Sequence, residues 1–279
     1  MTDPSDDPGS ASAYALGHAG RELERLSTQA RLIDPITRRF LREAGIVPGM
    51  RVLDVGSGAG DVAILAAELV GAAGEVVGTD RARAAVVAAR ARVDARALHN
   101  VSVREGDPAE MAFERPFDAV IGRYVLEFMP DPAAALRKLA GHVRPGGVMV
   151  FHELDLDGGR SFPSAPLYDQ CCRWVDETLR QLGADTRMGI KLHSVFVAAG
   201  LPAPSLRLEA VIGGDTNGSD RLHLMADVAR TLLPEMERLG VATAADVGID
   251  TLVARMHDEI AASGSVIVGR SEIGAWSRV

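Results

Sequence analysis

The chain has 279 residues, 47% of them hydrophobic, which is sufficient for one large domain with a sizeable buried core. Its formal net charge is -8 at pH 7. This acidic balance disfavours nucleic acid as a partner, because a nucleic-acid-binding protein needs a basic surface to neutralise phosphates. It also disfavours an anionic membrane surface.

The start of the chain and its cysteines indicate a cytoplasmic protein. Residues 1–13 are acidic and rich in Ser, Pro, Asp and Gly, so we expect a disordered tail that lacks the features of a signal peptide. No apolar run approaches the ~20 residues that cross a bilayer, so we expect no membrane partner. Cys171 and Cys172 are sequence neighbours and cannot form an ordinary disulfide, which fits a reducing compartment.

Two helices, followed by alternating strands and helices, are predicted for the first 155 residues. Apolar residues recur at helical spacing through 14–47, and Asp34-Pro35 separates the two helices. The predicted strands are Arg51–Val55, Glu75–Thr79, Val101–Glu105, Phe117–Arg123 and Val148–Glu153. The helices between them are Asp61–Val70, Ala82–Leu98 and Pro132–Val143. This alternation is typical of a parallel sheet covered by helices on both faces.

The pattern changes after residue 154. Gly158–Pro166 is predicted as a loop. Helices at Leu167–Leu182 and Lys191–Ala199, a strand at Ser205–Ile212, helices at about 219–239 and 243–263, and a strand region in 265–279 follow it. Each of the last two helices carries an apolar stripe, which predicts a packing surface that could also line an apolar pocket.

The most specific local pattern is the segment Val52–Asp61, with the sequence VLDVGSGAGD. An apolar strand runs into three alternating glycines, Gly56, Gly58 and Gly60, and a helix begins directly afterwards. The glycines let the backbone turn tightly and approach a ligand, and the start of the helix offers unpaired N–H groups. The pattern therefore predicts a nucleotide-like ligand at the first strand–helix turn.

Acidic residues near this turn indicate the kind of ligand. The spacing is G-x-G-x-G rather than the G-x-G-x-x-G of dinucleotide enzymes. Asp54 and Asp61 flank the turn and would repel a pyrophosphate, but they suit a ligand with a sulfonium and an ammonium group. Asp80 ends the second strand, where a carboxylate can accept both hydroxyls of a ribose. Asp107 follows the third strand and would lie beside an adenine.

Together these residues resemble the class I S-adenosylmethionine-dependent methyltransferases. The resemblance covers roughly residues 37–155, and its three motifs fall at the ends of three successive strands. It implies a doubly wound, seven-stranded, mostly parallel α/β sheet with N-terminal helices, a helical cap inserted near the C-terminus and a final antiparallel strand at Ile273–Val279. We expect a single domain over 14–279, with a cofactor-binding core at 37–155 and cap elements at 156–203 and 214–264.

The same resemblance implies a set of contacts to S-adenosylmethionine. The glycines would line its methionine and ribose portions, Asp80 would hold the ribose, and Asp107 would contact the adenine amine. The predicted cofactor-binding residues are Tyr14, Gln29, Asp54, Gly56, Ser57, Gly58, Gly60, Asp80, Arg81, Asp107, Pro108 and Arg123. No metal site is expected, because the histidines and cysteines lack ligand spacing.

The end of the fifth strand carries the candidate catalytic groups, His152 and Glu153. Either could act as a general base for a hydroxyl or a carbon acid. Neighbouring side chains on a strand point to opposite faces, so the two cannot both point the same way if the strand continues. The acidic run could instead bind a divalent cation or be an ordinary solvated strand end.

The predicted reaction is methyl transfer from S-adenosylmethionine to an O, N or C atom of a small-molecule acceptor, which releases S-adenosylhomocysteine. An NAD-dependent oxidoreductase on a similar sheet and a non-catalytic S-adenosylmethionine-binding protein are the alternatives. The glycine turn could also be a simple chain reversal, and Asp107 a turn cap before Pro108. The acceptor and the oligomeric state stay open at this point, and a homodimer is compatible with the sequence.

Overall fold

The computed structural model of the protein describes residues 20–214 and 219–279, so Tyr14 and the predicted tail at 1–13 lie outside the described residues. Within these ranges the strands are β1 (Arg51–Val55), β2 (Glu75–Asp80), β3 (Val101–Glu105), β4 (Phe117–Arg123), β5 (Val143–Asp155), β6 (Arg160–Phe162), β7 (Ser205–Gly213) and β8 (Val266–Arg278). The helices are α1 (Gly20–Glu43), α2 (Asp61–Val70), α3 (Arg83–Ala95), α4 (Pro132–Ala140), α5 (Pro166–Gln181), α6 (Met188–Ala198), α7 (Ser219–Leu239), α8 (Ala244–Val247) and α9 (Leu252–Ser263).

These elements form two compact units. The larger unit contains Ile33–Leu154, Met188–Leu208 and Glu272–Val279. The smaller unit contains the described residues up to Leu32, together with Asp155–Arg187 and Glu209–Ser271. Helix α1 and strands β7 and β8 therefore contribute residues to both units.

The strand order is β3-β2-β1-β4-β5-β8-β6, with β7 also paired to β8. Strands β1 to β5 pair in parallel along this order, which confirms the predicted doubly wound α/β sheet. The resemblance implied seven strands, whereas eight are present among the described residues. The additional strand is β6, which lies in the predicted Gly158–Pro166 loop and pairs antiparallel with β8 inside the smaller unit.

The sheet of the larger unit is covered on both faces. Consecutive residues of β1 point to opposite faces, so Val52 and Leu53 enter two different apolar clusters. Val52 packs in the cluster that includes α2, and Leu53 packs in the cluster that includes Phe151, together with Leu192 and Phe196 of α6. The predicted cap range 156–203 includes this helix, and the structure places it in the larger unit.

Helix α1 runs without a break from Gly20 to Glu43, so the predicted division at Asp34-Pro35 is wrong. Pro35 removes one backbone hydrogen bond inside the helix. The residues around it are buried, since Ile36 and Phe40 are at most 3% exposed. Burial of these side chains on one continuous face offsets the lost hydrogen bond, because each contributes roughly 1.5–3 kcal/mol.

The parallel register brings the carboxyl ends of four strands together. Val55 of β1 pairs with Thr79 of β2 and with Gly122 of β4, and Asp80 pairs with Glu105 of β3. The turns that follow these strands therefore lie along one edge of the sheet, where α/β proteins bind their ligands.

The smaller unit has its own apolar core, built from α5, α7, α9 and the first half of β8. Tyr168, Leu222, Met256 and Ile267 are buried there together. The helix predicted at 243–263 is two helices, because Gly248 adopts a left-handed conformation with φ of 54° and ends α8. Among the described helices, none combines the length and the apolar composition that crossing a membrane requires.

Candidate functional site

The turn after β1 is built from three glycines with positive φ. Gly56, Gly58 and Gly60 have φ values of 63°, 52° and 87°, which favour glycine over any other residue. A Cβ atom on Gly56 would lie 2.7 Å from Val125 Cγ2, and one on Gly60 would lie 3.2 Å from Ala89 Cβ. A Cβ atom on Gly58 would meet nothing within 4 Å. Gly58 is therefore the open side of the turn.

Two side chains hold this turn in place. The Asp80 carboxylate accepts the Gly58 N–H at 2.9 Å and the Ala82 N–H at 2.8 Å. Arg92 of α3 donates to the Ala59 carbonyl at 2.7 Å and to the Asp61 carboxylate at 2.5 Å. Asp80 thus joins the end of β2 to the glycine turn, and Arg92 is a contact that the sequence did not predict.

Asp54 is a buried carboxylate beside the turn. It is 1% exposed, and no side chain of the described residues donates a hydrogen bond to it, although the Ala63 N–H lies close enough to lower its pKa. Burial raises the pKa of Asp54 to about 8, while the Arg123 guanidinium opposes the rise and the Asp80 carboxylate adds to it. A buried carboxylate without a side-chain partner is costly, so the arrangement fits a ligand that brings a positive charge. The nearby Ser57 hydroxyl lacks a partner within the described part of the chain.

Asp107 lies at the edge of a cavity of about 280 Å³, which Arg81 and Pro108 also line. Its carboxylate accepts hydrogen bonds from the Arg81 guanidinium and from the Ala109 N–H. Burial raises the pKa of Asp107, but these two hydrogen bonds outweigh it and hold the pKa below its ordinary value. The structure therefore brings together three of the predicted cofactor-binding residues, including Asp107, which was predicted to contact the adenine.

Arg123 ends β4 and is joined to α1. Its Nη1 donates to the Asp34 carboxylate at 2.8 Å and to the Thr37 hydroxyl at 3.0 Å. Arg123 is buried, and its charge acts on Asp54 from this position. The sequence predicted Arg123, but it gave no signal for Asp34 or Thr37, because helical periodicity does not reveal a polar contact across 86 or more residues.

His152 and Glu272 form a buried pair in the larger unit. His152 Nε2 lies 2.9 Å from Glu272 Oε2, and its Nδ1 lies 3.0 Å from the Thr37 hydroxyl. Tyr124 also donates to Glu272, at 2.6 Å. Tyr124 itself has a φ of 55°, an uncommon conformation for a residue with a side chain. The Glu272 carboxylate therefore connects the ends of β4 and β5 to β8.

Glu153 is fully buried and accepts backbone hydrogen bonds. Its Oε1 accepts the N–H groups of Val125 and Leu126 at 3.0 and 2.9 Å. Burial raises the pKa of Glu153 to about 7, and the backbone N–H donors oppose this rise. Glu153 thereby caps the 3₁₀ turn at Leu126–Phe128, which follows β4.

These contacts bear on the predicted catalytic pair. His152 and Glu153 are 2% and 0% exposed, and both already have partners inside the protein. A general base must come within hydrogen-bond reach of the proton it removes, so their catalytic role stays a prediction.

Gln29, a predicted contact to the cofactor, lies partly buried on α1 in the smaller unit.

Comparison with known proteins identifies the family. Residues 46–194 match a methyltransferase domain family. The chain is 37% identical over 153 residues to aklanonic acid methyltransferase of a Streptomyces species, and the alignment covers 54% of this chain and 68% of that protein. It is 40% identical over 122 residues to nocamycin O-methyltransferase of Saccharothrix syringae, and there the alignment covers 43% of this chain and 44% of that protein.

A solved structure shows the same fold. A phosphoethanolamine N-methyltransferase of Haemonchus contortus, determined with S-adenosylhomocysteine bound, superposes with a TM-score of 0.53 at 19% identity. The superposition covers 86% of this chain and 51% of that one. The match over more than half of the chain, the related sequences and this fold agree with the motifs at the strand ends. The chain belongs to the class I S-adenosylmethionine-dependent methyltransferases.

Proposed function

We propose that this protein transfers the methyl group of S-adenosylmethionine to an oxygen atom of a small organic acceptor. The family supports methyl transfer, and two relatives that act on small molecules support the acceptor class, one of them being an O-methyltransferase by name. The observation that carries the proposal is the buried carboxylate of Asp54, without a side-chain partner among the described residues, beside the open glycine turn.

The residues at the turn fit the cofactor in charge and in space. Asp54 supplies a negative charge for the ammonium group of the methionine portion. Gly58 leaves room for the ligand, because no atom lies where its side chain would be. Asp80 uses one lone pair of each oxygen on a backbone N–H, and its remaining lone pairs are available to ribose hydroxyls.

The NAD alternative needed a different glycine spacing, and the family match decides against it. Bound S-adenosylmethionine supplies an activated methyl group, so the protein mainly has to position the acceptor and exclude water. An acceptor oxygen that is already ionised, such as a carboxylate, needs no base. A reaction that needs no base agrees with the structure, in which His152 and Glu153 are buried and engaged in other contacts.

We further propose that the predicted cap ranges supply acceptor specificity within one methyltransferase domain. The separate apolar core of the smaller unit supports this proposal, because α5, α7 and α9 of these ranges pack together in a unit of their own. A cytoplasmic location, the absence of nucleic acid as a partner and a homodimer stay predictions from the sequence. Sedimentation of the purified protein would decide the oligomeric state.

Transfer of radioactive methyl from labelled S-adenosylmethionine tests the proposal, with aklanonic acid as the first acceptor and a panel of other organic acids beside it. The Gly58→Val variant serves as the matched control, since it blocks the open side of the turn. We expect the wild-type protein to label an acid and the variant to label none. A wild-type protein that binds S-adenosylhomocysteine but labels no acceptor would support the non-catalytic alternative.

A further inference from the structure

Arg221 is a buried cation without a counterion in the smaller unit. It lies on α7 and is 6% exposed. Among the described residues no carboxylate pairs with its guanidinium, and the group that shares a hydrogen bond with it is the neutral Tyr168 hydroxyl. Most other arginines in the described ranges instead pair with a carboxylate or a carbonyl, as Arg230 does with Asp250. A fully desolvated charge of this kind is costly unless an anion accompanies it.

The groups that face the guanidinium are neutral. The Tyr168 hydroxyl, which shares a hydrogen bond with Arg221, and the Cys172 thiol both lie on α5 and are its electrostatic neighbours. Burial raises the pKa of the Tyr168 hydroxyl and the pKa of the Cys172 thiol, so both stay protonated near neutral pH. Burial also lowers the pKa of Arg221 itself, which is the direction expected of a cation that lacks a partner.

The backbone around Arg221 leaves space for its guanidinium. A Cβ atom on Gly269 of β8 would lie 2.5 Å from Arg221 Nη1, so a side chain at this position would require the guanidinium to shift. Tyr168 is fully buried and donates its hydroxyl to the Val268 carbonyl at 3.2 Å. Helix α5 and strand β8 thus both contribute residues next to the guanidinium, and neither supplies a negative charge to it.

We propose that Arg221 anchors a binding site for the carboxylate of a small organic acid. A guanidinium presents paired N–H donors that match the two oxygens of a carboxylate. A single cation whose neighbour Tyr168 belongs to the apolar core of the smaller unit suits a monovalent anion on an apolar body better than a phosphate. That this acid is the methyl acceptor rests on the proposed function, whereas the binding of carboxylates does not.

Thermal unfolding tests the site without any turnover. The wild-type protein and Arg221→Met are compared in sodium benzoate, in neutral benzamide, in inorganic phosphate and in sodium chloride of equal ionic strength. We expect benzoate at about ten times its Kd to raise the wild-type Tm by about 3 °C over chloride, and benzamide and phosphate to have no such effect. Arg221→Met loses the benzoate shift, and its Tm in chloride equals or exceeds the wild-type value because an unpaired charge is removed.

Two outcomes overturn the site. One is an equal benzoate shift in both proteins, and the other is a Tm of Arg221→Met several degrees below wild type in chloride, which marks a structural arginine. A phosphate shift without a benzoate shift overturns the choice of carboxylate. Gly269→Ala is a second variant that keeps the charge but crowds Nη1, and it loses the benzoate shift if the guanidinium binds the acid.

Methyl transfer then identifies the acid. If the acid is the acceptor, Arg221→Met raises the acceptor KM at least tenfold and leaves S-adenosylhomocysteine affinity unchanged. An unchanged KM, together with a lost benzoate shift, overturns the assignment to the acceptor and leaves a separate acid site. If the wild-type protein binds benzoate but methylates no acceptor, the proposed function fails while the carboxylate site stands.

Discussion

His152 Nε2 lies 2.9 Å from Glu272 Oε2, and both side chains are at most 2% exposed. In the tautomer in which Nε2 donates to this carboxylate, Nδ1 faces the Thr37 hydroxyl. The last strand of the chain thereby fixes the ring orientation of a histidine on β5. This relationship favours a positioning role for His152.

Glu272→Leu should destabilise the protein strongly. The substitution leaves His152 and Tyr124 without their shared acceptor in a buried position, and each buried unsatisfied donor costs about 1–3 kcal/mol. We therefore expect the free energy of unfolding in urea to fall by about 2–6 kcal/mol. Glu272→Gln keeps one acceptor oxygen and should lose less. Equal stability of the leucine variant and the wild type would show that this pair contributes nothing.

Glu153 should matter for stability more than for proton transfer. Glu153→Gln retains Oε1 as the acceptor of the Val125 and Leu126 N–H groups, whereas Glu153→Leu frees both donors and should cost about 2–5 kcal/mol more in urea unfolding. If Glu153 were a general base instead, the glutamine variant would fold normally but lose about 10²–10⁴-fold in turnover.

The raised pKa of Glu153 also predicts a pH dependence. The folded state holds its proton up to about pH 7, whereas the unfolded chain releases it near 4.5. The folded state therefore binds more protons between these values, and stability falls as pH rises through this window. The wild-type free energy of unfolding should decrease relative to Glu153→Gln between pH 4.5 and 7. If the free energies of unfolding of the two proteins changed with pH in parallel, the raised pKa of Glu153 would be contradicted.

Gly58→Val should abolish cofactor binding, because the added side chain would occupy the open side of the turn and would be strained at a φ of 52°. Gly183→Val is the matched control. Gly183 has a φ of 91° and no atom within 4 Å of its Cβ position, so it incurs similar strain in the smaller unit. Calorimetry with S-adenosylhomocysteine should show binding to the control variant and none to Gly58→Val. Tight binding to Gly58→Val would show that this glycine turn is not the cofactor site.

Asp54 should make cofactor affinity depend on pH. Its pKa is raised from 3.8 to about 8, so the ionised form that attracts a ligand ammonium group becomes more populated as pH rises from 6 to 7.5. The affinity for S-adenosylhomocysteine should increase by up to about tenfold per pH unit, and Asp54→Asn should bind weakly with no such slope. Arg123, Asp80 and Asp61 surround Asp54 and are kept unchanged in the comparison. A wild-type affinity that is flat in this range would contradict the role of Asp54.

The sequence predicted the sheet well because its signals are local. The bounds of Arg51–Val55, Asp61–Val70 and Phe117–Arg123 agree with the structure to the residue, since apolar runs and glycine turns mark them. The break at Pro35 was wrong because packing on one continuous face overrode a local signal. The interruption at Gly248 was missed for the converse reason, since its flanks read as one helical pattern.

The candidate site was predicted only where motifs mark it. Gly58, Asp80 and Asp107 follow strand ends in a recognisable order, and the parallel register explains why they share one edge of the sheet. The partners of His152 could not be predicted, because Glu272 lies 120 residues away and no spacing links them. The burial of Arg221 could not be predicted either, because its guanidinium on α7 lies against Gly269, which belongs to β8.

Calorimetric titration of S-adenosylhomocysteine into the wild-type protein and Asp80→Ala tests the central claim most directly, with NADH as the comparison ligand. We expect S-adenosylhomocysteine to bind the wild type and NADH not to bind it. We expect Asp80→Ala, folded by circular dichroism, to bind S-adenosylhomocysteine at least about tenfold more weakly, since the change removes charge-assisted hydrogen bonds worth about 1.5–3 kcal/mol and frees the glycine turn. Wild-type affinity in the folded variant would contradict the claim that the cofactor binds at the ends of β1 and β2.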